Sequence, residues 1–595
     1  MTVSSDALIE TEAASDETTA SHHELPASEV PSTMRTPAER RFRGARGFFR
    51  ASLAWCQRSV PSLFRFASSA NPREVRSRLE KQVTAVAMVV FAVVLLRHAW
   101  LSDDAYITFR CVRNFLQGHG LRWNITERVQ AFTHPLWLFL LSLAQIVGQD
   151  IYYASLGLSF LCSLILLVTL RAGLSMGSFL LAMVCLLSSK SFVDYSWSGL
   201  ENPATHVLYG LFLLRALRAP QADVRDEQKA FYFLALLAGL LGTNRLDNLL
   251  FCLPVLIGRA FVFRRHPRIL ARAALGFLPL ALWELFAMIY YGFPYPNTAY
   301  SKLATGIPAA QLRLQGVMYF VSELFFDPVA IILIVAAIAL ALGARLKHLY
   351  LPLVGVLLYL LYMVRIGGDF MAGRFFSTPV LGATLILVAA LSAIVESTPV
   401  AVALLAAGAA LGLGFLVTPH PTLAPETTAC RALPPGESGW DARGVAYERV
   451  YYCRYTGLIQ VMREGSLPTD DRVARGRALS VDHATALGML GVSGYFAPES
   501  AVIVDAHGLS DAFISHLPVP KTTGWRIGHF ARAIPEGYLA TLDNEKRKGP
   551  VVIQKPTWAE LYKHLRPVVA GPIWSFDRFK EIARFNLGSY AQLAR

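Results

Sequence analysis

Apolar runs separated by short polar breaks fill the middle of the chain. The first clear run covers 83–101. Others fall at 136–148, 151–170, 174–193, 203–217, 231–243, 246–263, 271–291, 327–344, 349–364, 378–395 and 398–418. A full crossing of a bilayer takes about 20 apolar residues, so several runs are short or tilted. The pattern predicts an α-helical polytopic membrane protein. Cations beside the runs orient it. The basic flank before residue 83 stays inside, as do the basic loop GRAFVFRRHPRILAR (258–272) and the turn with Arg345 and Lys347. The loops at 291–315 and 367–378 and everything after about 417 then lie outside. An inside N-terminus with an outside C-terminus needs an odd number of crossings, and we expect about eleven.

The pattern changes after a Pro/Thr-rich linker, PHPTLAPETT. Residues 419–595 read as a soluble, mixed α/β domain on the outer side. In it HATALGML reads as helix and AVIVDAHGL as a buried strand and turn. At the other end, 1–34 lacks apolar periodicity and predicts a disordered cytoplasmic tail. Residues 35–81 are strongly basic with interleaved Phe and Trp. They read as an amphipathic segment on the inner leaflet or as a plain positive-inside flank, cytoplasmic either way. The membrane domain is 82–418, with 102–135 as its first outer loop.

Composition agrees with this picture. Of 595 residues 54% are hydrophobic and 16% charged, and the net charge is +14. In a soluble protein such a balance would suggest nucleic acid. Here the cations border apolar runs, so the bilayer is the expected partner and no nucleic-acid signature is present. Seven cysteines show no zinc-site spacing. Cys162, Cys185 and Cys252 sit in apolar runs as small hydrophobes. Cys430 and Cys453 could pair if their side is oxidising, which would contribute about 3 kcal/mol on a chain-entropy model.

The loop 102–135, SDDAYITFRCVRNFLQGHGLRWNITERVQAFTHP, concentrates candidate chemistry. Asp103 and Asp104 stand where the first span leaves the membrane. Arg110 and Arg113 share a face of the short helix that follows, and His134 closes the loop. A carboxylate beside a second one at a membrane edge has its pKa raised, which suits a general base for a sugar hydroxyl. Further outer loops carry Asn297 and Lys302 (YYGFPYPNTAYSKL) and Asp369 and Arg374 (RIGGDFMAGRFFSTP). Outer cations run against the positive-inside bias and could neutralise a phosphate. Glu201 in SGLENP, Arg245 with Asp247 in GTNRLDN, and Glu284 lie within apolar stretches, where burial of charge signals function or pairing. Asp505, His507, Asp511, Arg526 and His529, in VDAHGLSD and WRIGHF, form a candidate acceptor site or only a polar, satisfied turn.

Taken in order, DDAYITFRCVRNFLQGHGLRWN with ERV, SGLENP, PNTAYSKL, GGDFMAGRFFSTP, VDAHGLSD and WRIGH resemble the GT-C-type integral-membrane glycosyltransferases. Within that class the chain is most similar to the mycobacterial and corynebacterial terminal β-(1→2) arabinofuranosyltransferase group, from about residue 85 to about 540. The resemblance implies a GT-C-like fold and a polyprenyl-phosphate-linked sugar donor. It implies inverting transfer to a glycan or glycoconjugate on the outer face of the cytoplasmic membrane. The base would be Asp103 or Asp104, and Arg110, Arg113, Lys302 and Arg374 would meet phosphate and sugar. His134, Glu201, Asn297 and Asp369 complete the expected substrate-binding set. No cofactor is required, because the lipid phosphate leaves already ionised and needs only charge stabilisation. A divalent metal is compatible but nothing in the sequence demands one. The competing expectation is a transporter or flippase of a lipid-linked glycan, which would show broken helices near the midplane.

Overall fold

The structure is a computed structural model. It describes residues 72–594 except 149, 219–222, 304, 395–421, 423–429, 431–439, 465–470 and 521–524. The tail 1–34, most of 35–81, the apolar run 398–418 and most of the linker lie outside the described residues. The chain divides into two compact units, Met1–Arg78 and Leu79–Arg595. Everything below concerns the second.

Helices make up most of it, as the apolar runs require. Four are long and apolar enough to cross a membrane: Arg78–His98, Ile151–Gly173, Pro267–Tyr290 and Lys347–Ile366. Two further runs are bent. Met176–Ser188 meets Lys190–Ser196 at 84°, and Ala309–Phe326 meets Pro328–Gly343 at 109°. Counting each bent pair as one span gives six among the described residues. The expected number, about eleven, also includes shorter runs and the run 398–418, which lies outside the described residues. Runs such as Pro135–Gly148 and Asn202–Ala216 do form helices. At 14 and 15 residues they are shorter than the ~20 residues a crossing takes.

The bends have a local cause. Asp327 stands at the second bend and accepts from Ser189 Oγ at 2.6 Å and Ser191 N at 2.8 Å, both at the first. The carboxylate thus satisfies a backbone N–H that the break in the helix leaves free.

The C-terminal part packs as a continuation of the same core. Tyr452, Cys453, Val492 and Ile503 share one buried cluster with Trp100, Phe109 and Trp123. A second cluster joins Val129 and Phe293 to Val504, Phe513, Tyr562 and Val568. Its regular structure is mainly helical, with one two-stranded parallel sheet, Thr485–Leu487 against Ile503–Asp505. The strand expected in AVIVDAHGL is present. HATALGML, expected as helix, supplies the partner strand instead. The reason is tertiary. Asp543 accepts from Ala484 N at 2.6 Å, and the buried Ile503–Asp505 edge offers hydrogen bonds that local propensity does not register. Cys430 and Cys453 form a disulfide, with Cα atoms 5.4 Å apart.

Candidate functional site

A cavity of about 340 Å³ collects residues far apart in sequence. One wall comes from the helix Asp103–Leu116. Ser102 caps it, its hydroxyl accepting from Asp104 N at 3.2 Å. The cap places two acidic residues in the first turn, where the helix dipole favours them. Asp104, Ile107 and Thr108 line the cavity at i, i+3 and i+4. Lys302 faces it from the helix Asn297–Leu303, Asp369 and Arg374 from the segment between Ile366 and Ser377, and Arg245 and Asp247 from a short turn. The lining also has apolar members, Trp283, Leu246, Tyr362 and Ile366, with Glu284 beside Trp283 in sequence.

The polar end is an ordered set of charges. Arg374 donates to Glu201 from Nη2 at 3.2 Å, while its Nη1 stands 3.7 Å from Asp104 and 3.8 Å from Asp369. Arg245 reaches Glu201 at 2.8 Å and holds Asp247 with Nε at 3.0 Å and Nη2 at 2.5 Å. The Nδ1 of His134 lies 3.4 Å from Glu201, and its Nε2 is 2.8 Å from Thr108 Oγ1. Glu201 is therefore the counter-charge behind the cavity. Burial alone would raise its carboxyl, but Arg374, His134 and Arg245 outweigh that and hold it well below the usual range. Burial pushes His134 down to about 4 and keeps the imidazole neutral.

Asp104 differs from all of these. Its side chain stays about 30% exposed into the cavity and makes no hydrogen bond to another described residue. Burial beneath the surrounding residues pushes it up to about 6, against the pull of Arg374 and Lys302. Lys302 lines the same space without an ion pair to a described residue, its ammonium 5.8 Å from the Phe370 ring centroid. Burial lowers its ammonium, while Asp369 and Asp104 act in the opposite sense.

The structure separates the other expected residues from the cavity. Asp103 accepts from the backbone N–H of Gly491 and of Val492, both at 2.9 Å, so both its oxygens are engaged. Arg110 is fully buried and donates to the carbonyls of Trp123, Gly494 and Ala501. Arg113 donates to those of Tyr495 and Ala497. These cations satisfy carbonyls at the C-terminal end of the helix Gly491–Phe496, as Asp103 satisfies N–H groups at its start, and neither cation lines the cavity. Asn297 donates to the carbonyls of Gly508, Leu509 and Asp511. Asp505 accepts from the N–H groups of His507, Leu509 and Ser510, and Asp511 caps Ala512–His516 and accepts from Tyr538. Both build turns.

His529 packs edge-on against Phe370, Trp440 and His507, and Arg526 lies over Trp440 at 5.0 Å. Ile527, Gly528 and Phe530 beside them line the cavity. Among the described residues no group of three or more His, Cys, Asp or Glu is placed to hold a metal ion.

Thr108, Trp283 and Tyr362 were not singled out from the sequence. Thr108 was legible in principle, four residues after Asp104 on one helix face. Trp283 and Tyr362 sit in apolar runs with no local mark of function.

No protein-family model and no solved structure matches the chain. Curated proteins do. The terminal β-(1→2)-arabinofuranosyltransferase of Mycobacterium tuberculosis is 31% identical over 349 residues, 51% of this chain and 54% of that protein. Its namesake in Corynebacterium glutamicum is 27% identical over 337 residues, 47% of this chain and 46% of that protein. The chain is thus similar to the group its motifs indicate, and it spans about half the length of these curated relatives.

Proposed function

We propose that this protein is a membrane glycosyltransferase that moves a sugar, arabinofuranose in the first instance, from a polyprenyl-phosphate donor to a cell-envelope glycan. The observation that carries the reading is a carboxylate, Asp104, with no hydrogen bond from a described residue and open to a cavity that also holds Lys302 and Arg374. An acceptor hydroxyl attacks the anomeric carbon. The new C–O bond forms as the bond from that carbon to the phosphate oxygen breaks. The electron pair leaves with the lipid phosphate, and the hydroxyl proton passes to Asp104. A base whose pKa is pushed up towards 6 suits that transfer. Lys302 and Arg374 stabilise the charge on the leaving phosphate, and attack opposite to it inverts the anomeric centre. The apolar wall of Trp283, Tyr362 and Ile366 suits the isoprenoid end of the donor. The enzyme is read as GT-C-like, with about eleven crossings and the Cys430–Cys453 disulfide on the oxidising, outer side.

Transfer from synthetic polyprenyl-phosphate-arabinofuranose tests this, with wild type beside Asp104→Asn. Transfer by wild type and its loss in the variant is the expected result. Equal transfer by both would falsify the base assignment. The two bent helix pairs favour a second reading, a transporter of lipid-linked glycan. Donor flipped across proteoliposomes without any sugar transfer would decide for that reading.

A further inference from the structure

The last two long helices, Pro556–Ala570 and Phe576–Asn586, are bolted to one end of a membrane span. Arg578 is buried and donates to the carbonyls of Ile289 at 2.7 Å and Tyr290 at 2.8 Å, which close the span Pro267–Tyr290. The same guanidinium donates to Val568 at 2.9 Å. Asn586 donates to the carbonyl of Gly292 at 2.9 Å. Gly292 itself has φ +84°, and a Cβ there would run into Val568 and Ile582. A glycine is needed for so close an approach.

Beside this junction the chain exposes large aromatic side chains among the described residues. Trp574 is 76% exposed, Phe576 83% and Phe579 37%, and the rings of Trp574 and Phe579 are 6.3 Å apart. Asp577 and Lys580 are exposed among them. Three aromatic rings in open water would cost free energy. Trp beside charged groups is instead the composition that settles at a membrane–water boundary. The span end to which this edge is fixed would set its height: Leu282 and Leu285 of that apolar span are also exposed.

We propose that the edge formed by Trp574, Phe576 and Phe579 is an interfacial foot, seated at the headgroup–acyl boundary of the bilayer beside the Tyr290 end of the span. Arg578 and Gly292 hold it at that height. The foot ties the C-terminal helices to the membrane plane and so fixes them relative to the cavity wall carried by Trp283 and Glu284.

The test uses the full chain in vesicles of phosphatidylethanolamine and phosphatidylglycerol, with nitroxide labels on Trp574→Cys, Leu285→Cys or Arg547→Cys. Arg547 is an exposed polar reference and Leu285 a lipid-facing one. The readout is the ratio of oxygen to nickel-complex accessibility. The ratio at 574 is expected several-fold above that at 547 and at or below that at 285. A ratio at 574 equal to that at 547 places the edge in water and overturns the proposal. A label on Phe576→Cys repeats the measurement should the tryptophan variant not fold.

Discussion

Asp103 and Asp104 stand about 100° apart around one helix, and their carboxylates meet different surroundings. The Asp103 face continues through Arg110 and Arg113 and is a seam. Every charged group on it is consumed by backbone N–H or C=O groups of the segment 491–501. The Asp104 face continues through Ile107 and Thr108 and opens on the cavity. Its carboxylate accepts no hydrogen bond from a described residue. The lesson is that charge type and proximity to a membrane edge do not distinguish a reactive group from a structural one. What distinguishes them is whether hydrogen-bond capacity is already used.

The comparison can be broken most directly at Asp104. Asp104→Asn is expected to lower sugar transfer by about 10²- to 10⁴-fold, the usual worth of a general base. Its melting temperature in detergent should be unchanged or raised. The sign follows from linkage. The folded state binds the Asp104 proton more tightly than the unfolded chain, so the group's stabilising contribution fades as pH rises from about 4 to about 6. Above that window the neutral amide is no worse. A variant that both melts early and keeps its turnover would exchange the roles of the two faces.

Arg110→Ala attacks the seam. It takes a donor from three buried carbonyls. Trp123 keeps Asn114 Nδ2 and Gly494 keeps the Ala497 N–H, so the Ala501 carbonyl carries the main loss, about 1–3 kcal/mol for an unsatisfied buried group. The thermal midpoint should drop sharply, while the protein that remains folded turns over within a few-fold of wild type. A normal midpoint would show that the seam does not hold the C-terminal part in place.

Glu201→Gln sharpens the cavity side. Glu201 competes with Asp104 for Arg374. With that charge gone, Arg374 should move onto Asp104. The groups facing Asp104 are then Arg374, Lys302, Asp103, Asp369 and Glu448. The rate of wild type should climb with pH to a plateau above about 6. In the variant that limb should shift to lower pH, with a lower plateau. Superimposable profiles would remove Glu201 from any positioning role.

The smallest effect is expected for Asp103→Asn. One of its two accepting oxygens becomes an N–H donor facing another donor, which costs on the order of 2 kcal/mol. Turnover per folded molecule should be nearly that of wild type. A loss of turnover as deep as in Asp104→Asn, at an unchanged melting temperature, would return Asp103 to the catalytic side.

Much of this protein was legible without coordinates. The apolar runs among the described residues became helices because a backbone in an apolar setting must satisfy its own hydrogen bonds. Lys302, Asp369 and Arg374, which line the cavity with Asp104, stood out because charged groups between apolar runs need a reason to be there. Similarity to the arabinofuranosyltransferases could be seen in ordered motifs. Tertiary structure alone decided the rest. Arg110 and Arg113 look like phosphate ligands until the carbonyls of 494–501 arrive from nearly 400 positions away. HATALGML looks like a helix until a buried parallel edge offers it a ladder. Glu201 looks like a substrate ligand until Arg374, Arg245 and His134 surround it. Sequence determines which groups can bond and how far a local segment periodically repeats. Which bonds are already taken depends on partners that only the fold brings within 3 Å of one another.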